Sequence, residues 1–289
     1  MGSIRRRMQV DLRLRNYAPT TERIYLLHAG YFVRYFRRSP RHLGAAHVRR
    51  YLLYLVEERK CSWSWWRQAV AALRFLYGTT LGRRDVIPHI PFPRRERRLP
   101  VVLTRGEVRR VLREVEDLRN RVALMAIYSA GLRISEAIHL SPADIDPAAM
   151  TIHVRRGKGR RDRMVPLATT LLHGLRQVQR RHRDGRWLLP GRRAGRPISV
   201  RAVQRAMTTA VERAHIRKRA TPRALRHSFA THHLEAGTDI RIIQRLLGHA
   251  SIASTMIYVH VSTAHLASVA SPLDELGLGE APVQLRMEL

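Results

Sequence analysis

Thr221-Pro222-Arg223-Ala224-Leu225-Arg226-His227-Ser228-Phe229-Ala230-Thr231-His232 is followed by Leu247-Gly248-His249 and then by Thr255-Met256-Ile257-Tyr258. The run sets out, in fixed order, guanidinium groups that can grip phosphate, an imidazole that can donate a hydrogen bond and a phenol that can act as a nucleophile. Upstream, Gly131-Leu132-Arg133-Ile134-Ser135-Glu136 holds another arginine at a helix junction. Between the two stretches, Gly157-Lys158-Gly159 presents a lysine in a glycine-flanked turn.

Charge narrows the partners. The 289-residue chain has 54 Lys+Arg against 22 Asp+Glu, a formal charge of +32. A chain this basic seeks a polyanion, either nucleic acid or an anionic membrane. No apolar run reaches the length of a bilayer span, and charge occupies the N-terminus where a signal peptide needs a hydrophobic stretch. The expectation is therefore DNA as partner, no membrane, and the cytoplasm as location. The single cysteine, Cys61, excludes an internal disulfide and offers no zinc-finger spacing. We read it as a small residue beside a helix start. The only lysines are Lys60, Lys158 and Lys218. Lys60 and Lys218 read as solvated charges at helix ends or in loops, whereas Lys158 sits at a hairpin tip.

The expected fold is mainly α with a small antiparallel β-sheet, in two domains. Residues 1–86 read as a helical module, with Thr20 or Thr21 capping a helix that buries Ile24, Leu27, Tyr31, Phe32 and Tyr35. A second helix over 46–58 turns Tyr51, Leu52, Leu55 and Val56 inward. A third, over 64–77, does the same with Trp66, Val70, Leu73 and Leu76. Most of the tryptophans Trp63, Trp65 and Trp66 pack in this core rather than against DNA. Four prolines and four arginines make 87–100 an extended basic linker, suited to a clamp around duplex DNA.

A catalytic domain over 101–263 opens on a capping box, Thr104 to Glu107, with Val108, Val111, Leu112 and Val115 buried. Further helices are expected over 120–130, 169–181, 199–214, 222–235, 239–247 and 251–258. Alternation at 151–154 and 163–165 predicts a hairpin around Lys158. Residues 264–289 form a tail that we read as a subunit-docking segment.

Phosphodiester cleavage without a metal needs a nucleophile, cationic donors for the pentacoordinate transition state and an acid for the leaving oxygen. Tyr258 supplies the first; its phenol, with a reference pKa of about 10, needs a base or a strongly positive site. Arg133 and Arg226 offer planar forks for the non-bridging oxygens. Lys158 is the candidate acid, because lysine can release a proton near neutrality and arginine cannot. His249 fits a donor to the phosphate or a partner to the tyrosine. His227, His232 and His233 place no convincing metal-binding trio on one helix face, and we read them as packing or polar surface residues.

These five fragments, in this order, resemble the tyrosine recombinase (phage integrase) family, and the resemblance spans nearly the whole chain. It implies a core-binding helical domain, a catalytic domain, and catalytic roles for Arg133, Lys158, Arg226, His249 and Tyr258, with no cofactor and no metal. Leu12-Arg13-Leu14-Arg15 and the Trp-rich third helix look closest to integron-type and transposon-associated members. No integron-type insert lies between Lys158 and Arg226, which weakens the integron option. The implied reaction is attack by Tyr258 on DNA, a 3′-phosphotyrosyl link and rejoining by a partner strand, carried out by a homo-tetramer on two synapsed sites.

One position departs from the family pattern: Arg223 stands where a histidine is usual. Arginine cannot shuttle protons near neutrality. Three outcomes stay open. Arg223 lowers the tyrosine pKa electrostatically, as in type IB topoisomerases; a water or His249 takes the proton; or catalysis is impaired. Two other readings compete, a type IB-like topoisomerase and a DNA-binding protein that has lost catalysis. Strand exchange between two duplexes separates the first from a recombinase, and adduct formation separates the second. A nonspecific packaging protein would not need this ordered set.

Overall fold

The chain divides between residues 97 and 98 into two units, and the computed structural model describes residues 2–90, 99–155, 162–182 and 185–259. The first unit is helical. Its helices are α1 (Gly2–Leu14), α2 (Pro19–Phe36), α3 (Ala45–Glu57) and α4 (Trp63–Phe75), the last running on as a π-helical turn over Leu76–Thr80. Helix α2 begins at Pro19 with Ala18 as N-cap, not at Thr20 or Thr21. Proline at the first helical position sets φ and gives up an N–H that has no partner there anyway.

The expected buried stripe of α2 shifts by a residue. Leu26, His28, Ala29 and Phe32 face the core, while Leu27 is 48% exposed and Tyr31 and Tyr35 are 37% exposed each. In α3, Val48 takes the inward place given to Val56, which is 52% exposed. Trp65 and Trp66 pack against the core, Trp66 donating Nε1–H to the Leu52 carbonyl, whereas Trp63 is exposed. Residues 87–90, read from sequence as the start of the linker, belong to this core: Ile90 is buried, and Arg74 donates to the carbonyls of Ile87 and Ile90. Of the rest of the basic linker, 91–98 lie outside the described residues.

The second unit is built around a helix with apolar side chains on nearly every face. Helix α6 (Leu118–Ser129) buries Val122, Ala123, Leu124, Ala126 and Ile127, the pattern of a helix enclosed by others. Packed against it are α5 (Arg105–Arg113), α7 (Ile134–Ile138), α8 (Thr169–Arg181), α9 (Val200–Arg213) and α10 (Pro222–Glu235). The Thr104–Glu107 capping box forms as expected. Lys218, read as a solvated loop charge, instead pairs with Glu107 at 2.7 Å and donates to the Val102 carbonyl.

The sheet has three antiparallel strands in the order β1 (Ile145–Asp146), β2 (Thr151–Val154), β3 (Arg163–Pro166). Two residues are too short to show alternation, so β1 left no signal in the sequence. Ile152 pairs with Val165 and Val154 with Arg163, and Ile152, Val154 and Val165 turn into the core. Helix α11 (Ile240–Leu247) follows, capped by the Asp239 carboxylate. The expected helix over 251–258 is instead two 3-10 turns, Ile252–Ser254 and Met256–Tyr258. No described helix is long and apolar enough to cross a membrane.

Candidate active site

Gly131 starts the site. Its φ is +60°, a conformation that costs an L-residue about 1–2 kcal/mol. A Cβ there would lie 2.6 Å from Phe229 and 3.1 Å from Leu247. Glycine thus lets the loop after α6 press against α10 and α11, and two residues later Arg133 becomes the N-cap of α7. The Arg133 backbone N–H and Nη1 both donate to the Glu136 carboxylate, at 2.9 and 2.7 Å. Its Nη2 reaches the Gly248 carbonyl at 3.2 Å.

Arg226 comes from the middle of α10 and is 7% exposed. It donates to the carbonyls of Gly131 at 2.5 Å and Leu247 at 2.6 Å. Two guanidinium groups from distant segments therefore end on consecutive carbonyls, Leu247 and Gly248. Gly248 closes α11 with φ +60°, its N–H donating to Arg245, and a Cβ there would press on the Arg163 side chain at 3.1 Å.

Glu136 holds the cationic cluster together. Arg163, the first residue of β3, donates to both of its oxygens, at 3.1 and 2.7 Å, and sends Nε–H to the Leu246 carbonyl. Burial alone would raise the Glu136 carboxyl, but the bonds from Arg163 and the Arg133 backbone outweigh it and hold it at about 2. Burial and then Arg133 bring the Arg226 guanidinium down to about 9, so it stays charged at neutral pH.

Tyr258 is 2% exposed and packs with Phe229, Ile243 and Leu247. Burial pushes its phenol up, against the pull of Arg226, Arg223 and Arg133. Its hydroxyl lies 3.0 Å from Nδ1 of His227. The His249 ring stacks beside Tyr258, centroids 6.4 Å apart and 13° from parallel, and its Nδ1 is 3.0 Å from the Thr255 hydroxyl. Burial, then neighbouring arginines, lower both imidazoles to about 4 and keep them neutral.

The sequence matches family descriptions over both units. "Phage integrase family" covers residues 101–265, and "Phage integrase, N-terminal SAM-like domain" covers residues 4–85. The chain belongs to the phage integrase family. It is 42% identical over 278 residues to y4qK of Sinorhizobium fredii, spanning 96% of this chain and 90% of that protein. It is 37% identical over 260 residues to the tyrosine recombinase XerA of Thermococcus onnurineus, spanning 88% and 89%. In fold it is similar to a XerH site-specific recombinase solved with its difH substrate after cleavage. That likeness has a TM-score of 0.73 at 22% identity, covering 90% of this chain and 82% of that one. This integrase-family chain is a tyrosine-type recombinase.

Of the residues expected at the site, Arg133, Arg226, His249 and Tyr258 converge. Arg223 is exposed on the first turn of α10 and acts on Tyr258 and His227 through its charge. Lys158 lies outside the described residues, as does the 264–289 tail. Three residues escaped the sequence reading. His227, taken as packing or surface, meets the Tyr258 hydroxyl. Glu136 had a signal, since it sits three residues after Arg133 where a capping carboxylate belongs. Arg163 had none, in a chain where arginine is everywhere. His232 and His233 are local: His232 is buried with Nδ1 3.0 Å from the Tyr128 hydroxyl, and His233 meets Thr238. Among the described residues no group of three His, Cys, Asp or Glu side chains is set to hold a metal.

Proposed function

We propose that Tyr258 attacks a scissile phosphate of duplex DNA, forming a 3′-phosphotyrosyl link and freeing a 5′-hydroxyl. The 5′-hydroxyl of a partner duplex then attacks that link and restores the strand. The phosphodiester energy is held in the covalent link, so the step as written uses neither ATP nor a metal. The observation that carries this reading is one buried phenol flanked by two arginines anchored to consecutive carbonyls. Both forks are fixed before substrate arrives, and preorganised donors of this kind are each worth about 3–4 kcal/mol in the transition state.

The roles follow from the chemistry. Arg133 and Arg226 hold the non-bridging oxygens, and His249 donates a hydrogen bond to the phosphate. Lys158 protonates the leaving 5′ oxygen. Support for Lys158 comes from the strands on either side of it in sequence: they pair as far as Val154 with Arg163, and Arg163 binds Glu136. Arg223 favours the phenolate through its charge. The helical unit before residue 87 grips the duplex, helped by the chain's +32 charge. Exchange of four strands calls for four tyrosines, hence a homo-tetramer on two synapsed sites, with 264–289 as the docking segment.

The test is a nicked duplex carrying the flanks of the protein's own gene, mixed with the protein in the absence of metal and ATP and then denatured. A labelled adduct that vanishes in Tyr258→Phe establishes the reaction. Strand transfer to a second labelled duplex separates recombination from topoisomerase chemistry. Binding without an adduct would mark a DNA-binding protein that has lost catalysis.

A further inference from the structure

We infer that His227 is the proton acceptor for Tyr258, taking the place of the histidine that Arg223 displaces. The inference rests on the recombinase reading above. A phenol that attacks phosphorus must lose its proton, and a guanidinium cannot take it. The groups facing Tyr258 are Arg223, Arg226 and His227 of α10, Arg133 from the start of α7, and His249 after α11. Glu136 and Arg163 stand behind the arginines, paired with each other. Three of the five facing groups are guanidinium ions. His249 turns its Nδ1 to Thr255 at 3.0 Å. Among the described residues, the hydrogen-bond partner of the Tyr258 hydroxyl is His227 Nδ1, at 3.0 Å.

The proposed step requires one tautomer. The phenol is protonated and donates to Nδ1, so the His227 proton sits on Nε2. As the Tyr258 oxygen bonds to phosphorus, the O–H bond breaks and the proton passes to Nδ1. The P–O5′ bond breaks, and the leaving oxygen takes a proton from its own acid. Rejoining runs in reverse: the attacking 5′-hydroxyl gives its proton to the conjugate base of the leaving-group acid, and imidazolium at His227 returns one to the departing phenolate. Protons balance over the cycle. Burial most of all, then Arg223 and Arg226, depress the basicity of His227 in the free protein, and the negative charge of a bound phosphate offsets the arginines' share.

The experiment follows single-turnover cleavage of a nicked site by the full-length protein, with an ordinary scissile phosphate and with a 5′-bridging phosphorothiolate. The sulfur leaves without a proton, so it bypasses the leaving-group acid and not the base. His227→Asn keeps an acceptor near the Nδ1 position but cannot take up a proton. It should slow cleavage by about 100-fold or more, on both substrates, with DNA affinity unchanged. Lys158→Ala should be rescued by sulfur.

His227→Asn within about threefold of the unaltered protein, or rescued by sulfur, overturns the assignment. Should the variant not fold, the unaltered protein reports directly. A normal solvent deuterium isotope effect on the sulfur substrate supports proton transfer at the phenol, and an effect of unity overturns it. No adduct from the unaltered protein on its cognate site removes the recombinase reading and this one together. An adduct undiminished by His227→Asn removes this one alone.

Discussion

Arg226 donates to the carbonyl of Gly131 at 2.5 Å, across 95 residues of sequence. That bond ties α10 to the loop that delivers Arg133, so the two arginines proposed to bind phosphate are positioned by one joint. The joint requires glycine. Gly131→Ala combines a positive φ with a Cβ 2.6 Å from Phe229, and we expect a loss of about 2–5 kcal/mol of stability. Chemical denaturation measures it, and cleavage should fall further than stability alone explains because Arg133 moves.

Glu136 is the counter-ion of the cluster, its side chain 8% exposed against 9% for Arg163. Removing one partner of a buried pair typically costs about 3–5 kcal/mol. Glu136→Gln keeps the shape and one acceptor, so it should fall at the low end of that range. A double-mutant cycle with Arg163→Gln should return a coupling of about 0.5–3 kcal/mol. Additivity between the two would show that Glu136 serves Arg133 and Arg226 alone.

Arg133→Lys and Arg226→Lys keep the charge and lose the planar fork. Each should lower single-turnover cleavage by about 10²–10³-fold. DNA affinity and its salt slope should barely move, because the sequence-independent grip is spread over the many other basic residues. Filter binding at several salt concentrations, beside the cleavage rates, checks both halves.

Stability should depend on pH with a definite sign. His227 and His249 sit at about 4 in the folded state against an ordinary 6.5. Below 6.5 the unfolded chain binds more protons than the folded one, so their contribution is complete above about 6.5 and is lost as pH falls toward 4. Glu136, at about 2 against an ordinary 4.5, adds a further loss below 4.5. Thermal melting between pH 7 and pH 4 should show a steady decline. The pair His227→Asn and His249→Asn should flatten its upper part.

The sequence by itself determined the helical character of both units, the spans of α8 and α10, and the two strands at 151–154 and 163–165 that pair, and it singled out Tyr258 as the candidate nucleophile. Periodicity, caps and fixed motif spacing are local signals, and they survive without a partner in space. Only the tertiary structure decided that His227 meets Tyr258, that Arg163 and Glu136 bind the arginines together, and that residues before Tyr258 form 3-10 turns. It also moved the buried face of α2 by a residue and drew residues 87–90 into the first core. The physical reason is common to all of these. They depend on contacts between segments 13 to 115 residues apart in the chain, and among so many arginines no local pattern marks the one that will meet a carboxylate.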